Sequence, residues 1–233
     1  MSEPQVWSPP DGSPRSDAAV TFTGFPADAF DFYVDLAADP TRSFWQAHRA
    51  RHADHVRAPL AALCGELADE FGPAHLYRPY RDTRFARDKA PYKDHQGAFV
   101  ETQDGVGYYV QVSASGLLVA AGWYAPQAIQ MRRYRAAVDG PAGALLERAV
   151  ATLANAGFPL TDDLMKTRPR GVPEDHPRLA LLRRTKVLSM VAYDVSAWMG
   201  TREALERVRA DWRSLRPLVE WLTDHVGPGE ARD

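Results

Sequence analysis

Arginine, lysine and tyrosine side chains crowd into one stretch of this chain, residues 77–93, which reads Tyr-Arg-Pro-Tyr-Arg-Asp-Thr-Arg-Phe-Ala-Arg-Asp-Lys-Ala-Pro-Tyr-Lys. Six cations (Arg78, Arg81, Arg84, Arg87, Lys89, Lys93) stand there against two carboxylates, Asp82 and Asp88, in a protein whose formal net charge is -2. Guanidinium groups grip carboxylate or phosphate through paired N–H donors, and a lysine adds a mobile point charge. The stretch therefore reads as a strand running into an ordered loop that holds a small anionic ligand. Arg78, Arg81, Arg84, Lys89 and Lys93 are the expected contacts, with Asp82 orienting one arginine. In a catalytic version Lys89 or Tyr92 would give a proton or attack, Asp82 would assist, and the arginines would stabilise developing negative charge. The competing reading is a buried Arg–Asp network that holds the loop against a sheet. The excess of cations weighs against it, because two carboxylates cannot neutralise six partners.

A second basic segment runs from Lys166 to Lys186, with seven cations against Glu174 and Asp175. Gly171 would let backbone approach an anion, Arg170 would reach across to it, and His176 beside Pro177 is either a helix cap or a general acid/base. With thirteen of the 28 Lys and Arg in two short segments, the remainder is acidic. That focusing suits a local anionic ligand better than a long nucleic-acid track, although a nucleic-acid module with Tyr80, Phe85 or Tyr92 stacking on bases stays as the alternative. A non-catalytic protein-interaction domain with a basic docking face is the third reading. Trp123 is either an aromatic wall of the cleft or plain core. His48, His52 and His55 fall within about 60° on a helix, but His48 and His55 would be about 10 Å apart along its axis. Structural histidines are the better reading, and no metal or other cofactor is assigned. No phosphate loop, dinucleotide fingerprint, Gly-x-Ser-x-Gly elbow or zinc-finger spacing is present.

The pattern Arg-x-x-Arg-Asp-x-Arg-Phe followed by Asp-Lys-x-Pro-Tyr-Lys resembles the signature of a sparsely distributed bacterial protein family of unknown function. Ser43-Phe44-Trp45, Ala121-Gly122-Trp123, Pro169-Arg170-Gly171 and Asp175-His176-Pro177 carry the rest of the likeness, which spans nearly all of the chain beyond its first twenty or so residues. The resemblance brings no activity and no catalytic residues with it.

The elements that must position these groups are legible in outline. Residues 1–19, rich in proline and serine, read as a disordered tail, residues 20–227 as one domain, and 228–233 as a C-terminal tail. Val20 to Phe22 suggests a short edge strand. Helical spacing begins after Pro26 and stops at Asp39-Pro40. Thr41 or Ser43 then caps a long helix with a stripe from Trp45 to Phe71, which Pro59 should kink or restart and Gly72-Pro73 should end. Residues 108–113 alternate, turn at Ala114-Ser115-Gly116 and return over 117–123 as an antiparallel hairpin. Helices over 127–138 and 142–156, a strand over 187–195 and a long last helix carrying Pro217 complete an α+β fold, a largely antiparallel sheet flanked by helices. With 45% hydrophobic and 25% charged residues, the composition is that of a globular domain with a sizeable core. The single cysteine, Cys64, excludes an internal disulfide and reads as apolar filler. No run approaches the roughly 18 apolar residues of a membrane span, and the first residues lack the pattern of a signal peptide, so a cytoplasmic protein is expected. The oligomeric state is not encoded in any of these patterns.

Overall fold

The computed structural model describes residues 21–81 and 90–229. Its centre is an antiparallel meander of five strands, β1 (Ala74–Leu76), β2 (His95–Gln103), β3 (Val106–Ser113), β4 (Gly116–Trp123) and β5 (Val187–Asp194), hydrogen-bonded in that order. Register places Val100 opposite Tyr108, Tyr108 opposite Ala121, and Ala121 opposite Ser189, so these four share one face. That face is buried. The other carries Phe99, Tyr109, Gln111, Leu118 and Met190, none of which is fully covered.

Helices α1 (Asp28–Ala38), α2 (Arg42–His52), α3 (Ala58–Phe71) and α7 (Glu203–Val226) supply the covering layer, with α4 (Ala128–Asp139), α5 (Gly143–Asn155) and the short α6 (Leu179–Leu182) gathered at one end. Trp212 of α7 is the centre of the contact. Fully buried, it packs its ring 5.2 Å from Phe71 of α3 and 5.4 Å from Tyr108 of β3, and its indole N–H donates to Tyr109 O at 3.3 Å. Burying a ring of this size removes roughly 150–250 Å² from water, so its truncation to alanine costs about 3–5 kcal/mol.

The long N-terminal helical run forms as the sequence suggests, capped by Thr41, whose hydroxyl accepts from Phe44 N at 3.2 Å. At Pro59 it restarts: a π-helical turn, Ala53–Arg57, absorbs the missing N–H and the ring's demand for space, and α3 begins with that proline in its first turn. Pro217, by contrast, sits inside α7, which continues through it. Phe22 is not in a strand. Its backbone is held by side chains instead, its N–H donating to Glu66 Oε1 (2.7 Å) and its carbonyl accepting from Arg202 (2.7 Å). Pro228 and Gly229 are tied to the body too, through Arg133 and Asp104. Among the described residues no helix is long and apolar enough to cross a membrane.

The three histidines of the first helical run go to three different places. His48 stacks on Phe44 and bonds its carbonyl at 2.8 Å, while His55 meets Asp28 at 2.5 Å. His52 is only 4% exposed, wedged between Phe32 and Trp45 with the Tyr33 hydroxyl 3.4 Å from Nε2. Burial, helped by the nearby Arg57 charge, pulls its pKa down to about 4. The unfolded chain therefore binds a proton at His52 that the fold rejects, and stability is lost as pH falls from about 6.5 to about 4. Asp28, held near 2 first by Arg51 and then by His55, loses its contribution only below the usual carboxylate range. Urea denaturation of His52→Phe across pH 4 to 6.5 should show a flatter stability profile than the parent, and an unchanged slope would remove His52 as the cause.

Candidate functional site

The two ends of the sequence-marked stretch are pinned together. Arg81 N–H donates to Pro91 O at 3.0 Å and Lys93 N–H to Pro79 O at 2.8 Å, on either side of a Tyr80–Tyr92 bridge. Tyr77 N–H donates to Gly97 O at 3.0 Å, so this pairing continues the edge that β1 makes with β2. The described part of the expected strand thus forms one antiparallel bridge. Asp82, Arg84, Phe85, Arg87, Asp88 and Lys89 lie outside the described residues.

Extended backbone at the bridge sends successive side chains to opposite sides. Tyr92 turns to the helices, where its ring stacks on Trp45 of α2 with centroids 4.4 Å apart and planes 11° from parallel. The motif fragments Phe44-Trp45 and Pro91-Tyr92, far apart in sequence, meet in this stack. Tyr80 completes the cluster 5.5 Å from Tyr92 and remains 53% exposed. Burial raises the Tyr92 pKa, which opposes a role as a proton donor near neutral pH.

Lys93 points the other way, into a trough of about 930 Å³ on the open face of the sheet. One part of its floor carries no side chain, because Gly107 and Gly122, cross-strand partners, tolerate none: a Cβ on the first would run into Val100 O, and on the second into Val187 O. Gly122 also holds φ at +133°, which L side chains rarely adopt. Tyr109 lies across Gly97 and donates its hydroxyl to Gln111 Oε1 at 2.8 Å. Tyr77 and Tyr124 complete the aromatic walls, with Leu118 and Met190 along one side.

The electrostatics single out Lys93. Its ammonium sits 4.9 Å from the centroid of the Tyr77 ring, and no carboxylate lies within ion-pair distance among the described residues. Burial first, and then the like charge of Arg78, lower its pKa. Both causes disfavour the charged amine, and the attraction of a bound anion would offset them. Arg78 itself is exposed beside it, and Arg81 is exposed at the bridge. Glu101, at the other end of β2, also lines the trough and accepts from Gly105 N at 2.9 Å. Tyr77 and Tyr109 are held protonated well above neutrality by burial.

Other sequence candidates fall elsewhere. Trp123 takes its core alternative, fully buried against Tyr134 at 5.9 Å, and its indole N–H has no partner among the described residues. His176 is a structural clamp: Nδ1 accepts from Arg178 N (3.1 Å), which leaves Nε2 to donate to Asp139 (3.0 Å) at the end of α4. Arg170 is exposed and does not line the trough. In the second basic segment Arg168 meets Glu174 and Lys186 meets Asp163, while three other arginines are taken up by backbone carbonyls. Arg178 caps α4 through Val138 O (2.7 Å), Asp139 O and Gly140 O, Arg183 binds Met165 O (2.6 Å), and Arg184 binds Thr161 O. Counting carboxylates alone in a sequence misses such partners. Among the described residues no three metal-ligating side chains converge.

Sequence reasoning missed Tyr109, Tyr124 and Glu101 as site residues. The alternation of β3 carried a signal for Tyr109, since the face opposite Tyr108, Val110 and Val112 had to point away from the core. Because the Tyr92 hydroxyl makes no hydrogen bond among the described residues, Tyr92→Phe should change stability by under about 1 kcal/mol, whereas Tyr92→Ala should cost about 3–5 kcal/mol by emptying the stack on Trp45. Chemical denaturation of both variants checks this, and a large loss in Tyr92→Phe would give the hydroxyl a role that packing does not.

No curated protein matches the chain. A family model described as conserved hypothetical protein (DUF2461) matches residues 28–221, from the start of α1 nearly to the end of α7. That span includes both arms of the Tyr80–Tyr92 bridge and the whole sheet. The chain therefore belongs to the DUF2461 family of conserved hypothetical proteins.

Proposed function

We propose that this protein binds a small anionic molecule, carboxylate or phosphate, in the trough on the open sheet face, with Lys93 as the anchoring cation and Arg78 adding charge at its rim. One observation carries the reading: Lys93 lines the trough half-buried, with its charge disfavoured by burial and by Arg78 and without a carboxylate partner among the described residues. A cation kept in such a place works against the stability of the free protein. That is the expected mark of a group retained for binding. The trough is concave, largely apolar and sparing in polar groups, as small-molecule sites usually are. Its volume is within the range of such sites.

A second reading draws on Tyr80, which is 53% exposed between Arg78 and Arg81 at the bridge and could stack on a base of single-stranded nucleic acid. Its affinity would fall steeply with salt, because each phosphate contact releases counterions.

Thermal shift separates the possibilities. Phosphate, pyrophosphate, sugar phosphates and dicarboxylates are tested against the parent and Lys93→Met, with a short single-stranded DNA at two salt concentrations. A ligand selective for the folded state raises Tm by mass action. The expected result is a higher Tm for Lys93→Met without ligand, together with loss of the ligand-induced shift. If Lys93→Met melts well below the parent, the lysine supports the fold instead. Stabilisation by DNA alone, fading with salt, would favour the second reading.

A further inference from the structure

We infer that the trough takes a nucleoside phosphate, its phosphate at Lys93 and its base on the glycine floor within reach of Glu101. This rests on the anion-binding reading of Lys93 and adds what fills the remainder of the space.

The two ends of the trough have opposite polarity. The Lys93 ammonium lies over Tyr77, whose backbone N–H bonds Gly97 O, so the cationic end is level with Gly97. Glu101 is four residues further along β2 on the same face, which places the ends roughly 13 Å apart at the rise of a strand. An anion bound at Lys93 and long enough to fill the trough must therefore present a hydrogen-bond donor at its far end. A fatty acid would put methyl groups there, and a dicarboxylate would put a second negative charge against Glu101. The Glu101 side chain holds Gly105 N through Oε1 alone, and among the described residues Oε2 has no partner. Carboxylates of this kind accept from the exocyclic amine of a base.

The Glu101 end of the floor suits a flat ring. Gly107 and Gly122 lie side by side there on the open face with Ala120 next along β4, while the rings of Phe99 and Tyr109 stand between this patch and the Lys93 end. Alternation beyond Gly122 brings Tyr124 to the same side, where it is 63% exposed and lines the trough. The Lys186 ammonium sits 4.7 Å from the centroid of that ring and is itself tethered to Asp163 at 3.6 Å. A base laid on the glycine floor would meet this ring, and stacking of a base on an aromatic side chain is favourable whatever the base.

The test is calorimetric titration of the full chain with AMP, GMP, CMP, UMP, ribose 5-phosphate and inorganic phosphate, repeated on Lys93→Met, Glu101→Gln and Tyr124→Ala. Glu101→Gln keeps an oxygen for Gly105 N, so it removes only the charge and one acceptor. An amine-bearing nucleotide should bind at least roughly tenfold tighter than ribose 5-phosphate, and Glu101→Gln should cut that advantage about tenfold while leaving ribose 5-phosphate unchanged. Tyr124→Ala should weaken every nucleotide by about five- to tenfold or more. Nucleotides binding no tighter than ribose 5-phosphate, or a Glu101→Gln variant with its selectivity intact, would overturn the inference and leave Lys93 as a simple anion anchor. Binding of all the phosphates unaltered in Lys93→Met would bring down the anchor as well.

Discussion

Burial of α7 against one face of the meander is the contact on which the remainder of the molecule depends. Trp212 shows why: one side chain touches α3 through Phe71 and β3 through Tyr108, and satisfies its own N–H on the carbonyl of Tyr109. A sheet with alternating side chains has one apolar face, and the long helices saturate it. The opposite face then carries the residues that packing does not require, Tyr109, Gln111, Lys93 and Glu101 among them. Specific binding chemistry can be placed there at little cost to the core.

The Trp45–Tyr92 stack performs the complementary task at the sheet edge. It fastens α2 to the returning arm of the bridge, and the extended backbone at Tyr92 then leaves Lys93 one direction to take. A core contact thus aims a trough-lining side chain without touching it. The glycine pair at Gly107 and Gly122 acts in the same indirect way. Close approach of neighbouring strand carbonyls forbids side chains at both positions, and a patch of bare backbone in the trough lining is the consequence.

Helices and hairpin were legible in the sequence because their signals are local. Thr41 caps where a hydroxyl can reach an N–H three residues on, and Gly72 ends the long helical run through a positive φ. Tyr108 to Val112 alternates as a half-buried strand must. The second strand of the sheet escaped notice, since Gln96, Gly97 and Ala98 are weak strand formers and owe their place to pairing with β3. Of the edge strand expected over Val20 to Phe22, Val20 lies outside the described residues and Phe22 is not in a strand, because an apolar residue in a short segment can be held by side-chain hydrogen bonds without any ladder.

The α+β class, the long helices, the central hairpin and the concentration of cations in residues 77–93 are properties of neighbouring residues and could be read along the chain. Which cations remain without a carboxylate among the described residues is settled by folding, because a partner can be a carbonyl far along the chain. Arg178 closes the end of α4 and Arg183 binds loop carbonyls, while Lys93 is turned into a trough by a stack that begins 48 residues away from it, at Trp45. Side-chain direction on a bridge, and the bare backbone at Gly107 and Gly122, are set by strand pairing across the sheet. No local pattern contains them.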